Sequence, residues 1–167
     1  MSKIYIVGIV ASGKTTLAKA LSAQLGIPWY ELDSVVHIYS KQAHYKRTPE
    51  EQADEINRIN DTGDWIMEGT YRKSCHCLFE LADHIIFLDT PLWKRKCRIF
   101  TRFIKQQLKI EMCNYRSDLH MLRLMYKWTY EFERDRPQFL DMLKNYQDKL
   151  IVISKPSELK SVDKVRG

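Results

Sequence analysis

Near the start of the chain, Gly8-Ile9-Val10-Ala11-Ser12-Gly13-Lys14-Thr15-Thr16 combine residue types and spacing that bind phosphate. They fit the pattern G-x-x-x-x-G-K-[ST]. Glycines let the backbone close around an anion, and successive N–H groups point inward as a nest. The Lys14 ammonium would reach the outer phosphates as a point charge. The Thr15 hydroxyl suits Mg²⁺, which keeps several waters and binds phosphates beside one or two protein oxygens. The expected phosphate contacts are therefore Gly8, Ala11, Ser12, Gly13, Lys14, Thr15 and Thr16. The alternative is an ordinary Gly-rich turn that opens a helix, so the flanking elements decide.

Those elements have the required order. Lys3-Ile4-Tyr5-Ile6-Val7 is a short β-branched and aromatic run that reads as a buried strand. After the loop, Leu17, Ala18, Leu21 and Leu25 recur at helical spacing, and Gly26 and Pro28 stop the helix. The positive end of that helix would face the same anion.

The rest of the chain alternates in the same way. Trp29–Leu32 reads as a second strand ending at Asp33. A polar, aromatic connection follows over 34–47, with His37, Tyr39, His44, Tyr45, Lys46 and Arg47. Thr48-Pro49-Glu50-Glu51 has the form of a capping box with proline at the first helical position. Trp65-Ile66-Met67 predicts a third strand that ends in Glu68-Gly69, and Leu78–Leu81 a short helical piece. His84–Asp89 predicts a fourth strand, apolar enough to be covered on both faces. A long helical region from Pro91 to about Gln147 is expected to break near Cys113–Asp118 and at Pro137. Leu150–Ile153 is a fifth strand, and a short helix is expected after Lys155-Pro156-Ser157.

Strands alternating with helices predict an α/β three-layer fold: a five-stranded parallel sheet with helices on both faces. Ligands of such sheets bind at the carboxyl ends of strands. Asp33, Glu68 and Asp89 each stand at such an end, so all three should gather at the loop.

The totals bound the rest. The chain has 167 residues, 44% hydrophobic and 29% charged, which reads as one soluble domain. No run approaches the ~20 apolar residues of a membrane span, and the chain enters its first strand almost at once, so neither a leader nor a membrane partner is expected. The four cysteines are expected to be reduced thiols in a cytoplasm. The net charge is +6, and it is unevenly spread. From Pro91 to Tyr130 ten Lys/Arg (among them Arg95, Arg98 and Arg102) stand against Glu111 and Asp118 alone. Such a segment attracts phosphate, on a nucleotide or on nucleic acid, or else forms a solvated helix face. Cys75-His76-Cys77 lacks the spacing and the second pair of a tetrahedral zinc site.

With these residues in place, the chain resembles the nucleoside-monophosphate kinases. More closely, it is similar to the DNA topology modulation proteins, a branch of the adenylate-kinase-related P-loop proteins. The resemblance runs from Lys3 to about Lys160. It rests on Gly8–Thr16, on Glu68-Gly69-Thr70-Tyr71-Arg72, on Asp89-Thr90-Pro91 with Arg98 and Arg102, and on Arg134-Asp135-Arg136-Pro137. Glu68 stands where the family carries aspartate, which keeps the carboxylate and adds a methylene.

The resemblance implies a P-loop kinase fold in a single domain over residues 1–167, with an acceptor-side segment at about 34–62 and a helical lid at about 103–137. It implies ATP and Mg²⁺ as cofactors. Lys14, Arg98, Arg134 and Arg136 would act on the transferring phosphoryl group, with Arg102, Lys155 and Pro156 around the nucleotide. Thr15, Glu68 and Asp89 would hold the metal, the carboxylates through water. Asp33, Glu68, Gly69, Tyr71 and Arg72 would face the acceptor. No guanine-selecting N-K-x-D or T-K-x-D run is present, so ATP is expected over GTP. Only Cys113 falls in the lid, so no lid zinc is expected.

The expected partners are a nucleotide donor and a small-molecule acceptor. Arg72 points to a phosphate-bearing acceptor, a nucleotide or nucleoside-like compound. Asp33 points instead to a hydroxyl, as in shikimate-like kinases, where an aspartate at this strand end can serve as base. A third reading takes the basic segment as a nucleic-acid surface on an ATP-binding regulatory protein.

Overall fold

The computed structural model describes residues 2–39, 44–108, 110 and 118–159. Strand β1 (Lys3–Val7) leads through the loop into helix α1 (Lys14–Leu25). Then come β2 (Trp29–Glu31), α2 (Leu32–Val36), β3 (His37–Tyr39), β4 (His44–Lys46) and α3 (Pro49–Asp61). The second half holds β5 (Trp65–Gly69), α4 (Cys77–Leu81), β6 (His84–Leu88), α5 (Leu92–Gln107), α6 (Leu119–Leu143) and β7 (Leu150–Ile153).

Five strands form one sheet in the order β2-β5-β1-β6-β7, and every pairing is parallel. The period-two alternation of a strand divides its side chains between two cores. Tyr5, Val7, Met67 and Phe87 point to one face, against Val35, Ile56, Phe79, Phe139 and Leu143. Ile4, Ile6, Ile66 and Ile86 point to the other, against Leu17, Ala18 and Leu21 of α1. The three-layer α/β architecture expected from the sequence is therefore present.

The start of α3 also follows the sequence signal. The Thr48 hydroxyl accepts from the Glu51 N–H at 3.3 Å, and the Glu51 carboxylate accepts from the Thr48 N–H at 2.8 Å. Two of the otherwise unpaired amides at the helix end are satisfied in this way.

Three local expectations are corrected. The second strand stops at Glu31, so Leu32 and Asp33 begin a short helix instead of ending a strand. The connection over 34–47 contains an antiparallel hairpin, with Ile38 opposite Tyr45. Helix α6 does not break at Pro137 but runs through it for 25 residues. Proline removes one backbone bond, while Phe132, Phe139, Leu140 and Leu143, on both sides of it, pack onto the sheet and hold the helix together. The break expected near Cys113–Asp118 lies outside the described residues up to Asp118, whose carboxylate caps α6 by accepting from the Met121 N–H at 2.8 Å. After β7, Pro156–Glu158 make a single 3₁₀ turn; the rest of the expected C-terminal helix, like Cys113 of the lid, lies outside the described residues. Among the described residues no helix is long and apolar enough to cross a membrane.

Candidate functional site

The loop between β1 and α1 is held in a shape that only certain residues allow. Gly13 has φ 105°, a left-handed conformation that strains side chains with a Cβ. Ala11 has φ 59°, at a cost of roughly 1 kcal/mol for a non-glycine residue. This twist is the kind that brings successive backbone N–H groups together as an anion nest. Three contacts hold it. The Ser12 N–H donates to the Ile9 carbonyl at 3.2 Å, Arg98 Nη1 donates to the Ser12 carbonyl at 2.7 Å, and Thr90 Oγ1 donates to the same carbonyl at 2.9 Å. Arg98 also reaches the Ala11 carbonyl at 3.2 Å.

Inside this frame the chemistry-bearing groups converge. Lys14 is buried, and its ammonium donates to the Ile9 carbonyl at 2.9 Å. Burial lowers its pKa, against the opposing pull of Glu68 and Asp33. The Thr15 hydroxyl donates to Glu68 Oε1 at 2.5 Å. Glu68 is also buried, and loss of water raises its pKa. Lys14 and the Thr15 bond pull that pKa down, while Glu31 and Asp33 push it up. The buried Ser12 hydroxyl has no hydrogen-bond partner among the described residues.

The adjacent strand comes very close. The Gly8 N–H donates to the Gly69 carbonyl at 3.3 Å, and a Cβ on Gly8 would stand 2.9 Å from the Leu88 carbonyl. On the outer side, Pro156 Cγ lies 3.6 Å from where a Gly13 Cβ would be. The Lys155-Pro156 turn therefore borders the loop, with Lys155 itself exposed. Thr16 occupies the exposed side of the first turn of α1.

Asp33 and Arg72 meet beside the same strand ends. Arg72 Nη2 donates to Asp33 Oδ1 at 2.6 Å, with Arg72 31% and Asp33 63% exposed. Arg72 Nε is buried without a partner among the described residues. Tyr71 turns the other way: its ring packs on Phe79 and Phe139, and its hydroxyl faces His76 Nδ1 at 3.4 Å. Cys75 is buried, Cys77 is at the surface and His76 lies between Tyr71 and Tyr146, so the three do not converge.

The remaining arginines divide. Arg136 Nη2 donates to Asp89 Oδ2 at 2.5 Å, which turns that carboxylate towards α6. Arg134 pairs at the surface with Asp135. Arg102 borders a small cavity between α5 and α6, with Ile99, Phe103, Met121, Leu122 and Met125. Trp128, on α6, is 41% exposed.

Sequence reasoning gave no role to Arg95, which the fold buries almost completely. Its Nε donates to the Thr90 carbonyl at 2.8 Å, its Nη2 binds Glu133, and its guanidinium lies 5.7 Å from the centre of the Phe132 ring. Thr90 was likewise given no role. Together they link the loop to α6, because the Thr90 hydroxyl holds the Ser12 carbonyl while the Thr90 carbonyl holds Arg95. The only sequence signal was the spacing of Arg95 and Ile99, one turn apart on the buried side of α5.

No protein-family model and no curated protein matches this chain. Solved structures do match. A gluconokinase from Sinorhizobium meliloti 1021 is 15% identical, over 98% of this chain and 89% of that one, with a TM-score of 0.57. A shikimate kinase from Bacteroides thetaiotaomicron is 16% identical, over 99% and 92%, with a TM-score of 0.56. A sugar kinase from Janibacter sp. HTCC2649 is 16% identical, over 99% and 95%, with a TM-score of 0.55. At these identities the likeness establishes a shared fold, that of the P-loop small-molecule kinases.

Proposed function

We propose that the chain is a cytoplasmic ATP-dependent phosphotransferase that moves the γ-phosphoryl of Mg-ATP to a nucleotide or nucleoside-like acceptor. The donor half rests on one observation: Lys14, Thr15 and Glu68 converge on a loop whose Ala11 and Gly13 adopt left-handed backbone. The residues present fit the nucleotide. The close approach at Gly8 leaves no room for a side chain, and the buried Ser12 hydroxyl is a spare polar group in the cradle.

Mg-ATP supplies the transferable phosphoryl group and the cation that neutralises its charge. The chain supplies position and field. Lys14 moves from the Ile9 carbonyl to the outer phosphates, and the loop amides of Ser12 to Thr16 hold phosphate oxygens. Thr15 and Glu68 would hold the metal, the carboxylate through water. Arg98 stiffens the loop from behind through two carbonyls and places positive charge beside it. Pro156, with Lys155 and Arg102, borders the nucleotide. Arg134 and Arg136 would add positive charge from α6, and Asp89 would serve the metal's water shell only where Arg136 releases it. Lid closure excludes water from the transfer.

On the acceptor side Arg72, beside Gly69 and Tyr71, holds the acceptor's phosphate. The resemblance to adenylate-kinase-related and topology-modulation proteins supports this assignment. A second reading takes a small hydroxy acid as acceptor, with Asp33 on its hydroxyl and Arg72 on its anionic group. Two observations favour it: the direct contact of Asp33 with Arg72, and the sugar, gluconate and shikimate kinases among the proteins of like fold.

The test is a coupled ADP-release screen with Mg-ATP and the Lys14→Ala protein as control. The acceptors are nucleoside monophosphates, nucleosides and small hydroxy acids. Absence of acceptor-stimulated turnover in every class would remove both readings. Salt-sensitive duplex binding that survives Lys14→Ala would favour the nucleic-acid reading instead.

A further inference from the structure

Helix α5 has two sides with different uses. Its inner side serves the site and the core: Arg95 and Ile99 are buried, and Arg98 reaches the loop carbonyls. Its outer side is apolar and exposed. Trp93, Cys97, Phe100 and Ile104, continued by Leu108 just past the end, recur every three or four residues and share one strip of the helix. Trp93 is 64% exposed, Phe100 54%, Ile104 40% and Leu108 64%. Scattered surface hydrophobics are ordinary, but a continuous strip of large ones marks a contact surface.

The charges on the strip's own helix all have one sign. Lys94 and Lys105 lie along one shoulder and Lys96 along the other, and no Asp or Glu occurs from Thr90 to Ile110. We propose that this face docks the protein peripherally on an anionic lipid surface, with α5 lying along the headgroup boundary.

Charge and shape select that occupant. A basic helix with Trp, Phe, Ile and Leu on one side is the kind that lies in a membrane interface, its apolar strip in the acyl boundary and its lysines on acidic headgroups. Trp93 at one end matches the depth that indole rings favour. A second copy laid strip against strip would bring Lys94, Lys96 and Lys105 against their counterparts, with no acid on the helix to offset them. The strip is a convex ridge, so a protein partner would need a matching groove, whereas a lipid surface yields to it. This departs from the sequence expectation of no membrane partner; it concerns a surface and not a span, because no described helix is long and apolar enough to cross.

The experiment is cosedimentation of the full chain with sucrose-loaded vesicles, of phosphatidylcholine alone or equimolar with phosphatidylglycerol. Binding is expected with the anionic vesicles only, and it should weaken as salt rises. Phe100→Glu with Ile104→Glu should lower it by more than about tenfold. Lys94→Glu with Lys105→Glu should do the same by removing the headgroup attraction. All four side chains lie away from the core, so melting temperatures should stay at the parent value, which separates lost docking from lost fold. No binding to anionic vesicles would overturn the proposal, as would equal binding to both vesicle types or binding indifferent to the strip variants. A self-associated chain that the strip variants split in the absence of lipid would overturn it in favour of an interface between copies.

Discussion

The Thr15 hydroxyl sits on the Glu68 carboxylate at 2.5 Å, tying the first turn of α1 to the end of β5. The bond holds a carboxylate where burial penalises its charge, so Glu68 has a raised pKa even with Lys14 beside it. A carboxyl with a folded pKa above its unfolded one binds protons more readily in the folded state. Its ionisation therefore costs stability as pH rises from the ordinary glutamate range through the folded pKa. Glu68→Gln removes that cost and keeps an oxygen for Thr15. The variant should melt above the parent at about pH 7.5, and the gap should close near pH 4, around the ordinary glutamate pKa. Thermal melts across that range check it, and a gap that widens on acidification would contradict the assignment.

Lys14→Ala should separate stability from function. Its ammonium is buried, with a lowered pKa, so the charge is a burden to the protein without nucleotide. Truncation should leave the melting temperature unchanged or higher while abolishing the stabilisation by Mg-ATP. Turnover should fall at least about 10²-fold, the scale of losing one preorganised electrostatic contact. Differential scanning fluorimetry with and without Mg-ATP reads the first effect, and initial rates read the second.

Gly69 tests how closely the acceptor-side layer is fitted. A Cβ there would stand 2.4 Å from Leu32 Cβ in a fully buried contact. Gly69→Ala should cost about 2 kcal/mol, the usual scale of overpacking. Combined with Leu32→Gly, which removes the Cβ that it meets, it should cost less than the sum of the two single changes. Urea unfolding of the three variants measures the coupling. Because the Gly69 carbonyl accepts from the Gly8 N–H, the single variant should also weaken Mg-ATP binding.

How far the sequence could reveal this depended on the range of each signal. The phosphate loop and the Thr48-Glu51 capping box are short-range devices, readable because every partner lies within a few residues. The central strands β1, β5 and β6 were readable because burial on both faces leaves continuous apolar runs. Pro137 misled because local chemistry favours a break, whereas the contacts of Phe132 and Phe139 that prevent it come from the sheet. The 37–46 hairpin lay in a polar stretch without strand alternation. Tyr71 and Arg72 are neighbours in the chain, yet one faces the core and the other Asp33, a division that spacing alone does not predict. Arg95 was one cation in a run of them, and only its long-range partners Thr90 and Glu133 set it apart.

Arg95 should therefore be structural as well as electrostatic. Arg95→Met leaves Glu133 without its guanidinium and frees the Thr90 carbonyl, so it should cost about 3 kcal/mol. The double variant Arg95→Met with Glu133→Leu should recover much of that loss, since the uncompensated carboxylate is removed along with its buried guanidinium partner. Urea midpoints decide, and a double variant as unstable as the single one would count against the pair as the cause. Mg-ATP affinity should fall in the single variant, because the Thr90 hydroxyl holds the loop at Ser12.

Arg72 and Asp33 neutralise each other at 2.6 Å, so under the proposed function an acceptor held by either has to displace the other. The two readings of the acceptor use the pair differently. If the acceptor carries a phosphate on Arg72, Arg72→Ala should raise its KM by about tenfold or more, the scale of a lost charge-assisted bond. Asp33→Asn should then have a small effect on kcat, since an oxygen that is already ionised needs no base. If the acceptor presents a hydroxyl, Asp33→Asn should lower kcat by about 10²-fold or more, the scale of a lost general base. Removing the Asp33 charge also frees Arg72 for an anion, so under the first reading Asp33→Asn should lower KM for a phosphate-bearing acceptor. That opposite sign makes Asp33→Asn the more informative of the two variants. Initial rates at saturating Mg-ATP, with the acceptor varied, separate a KM effect from a kcat effect, and a variant pair that moves neither would place the acceptor elsewhere.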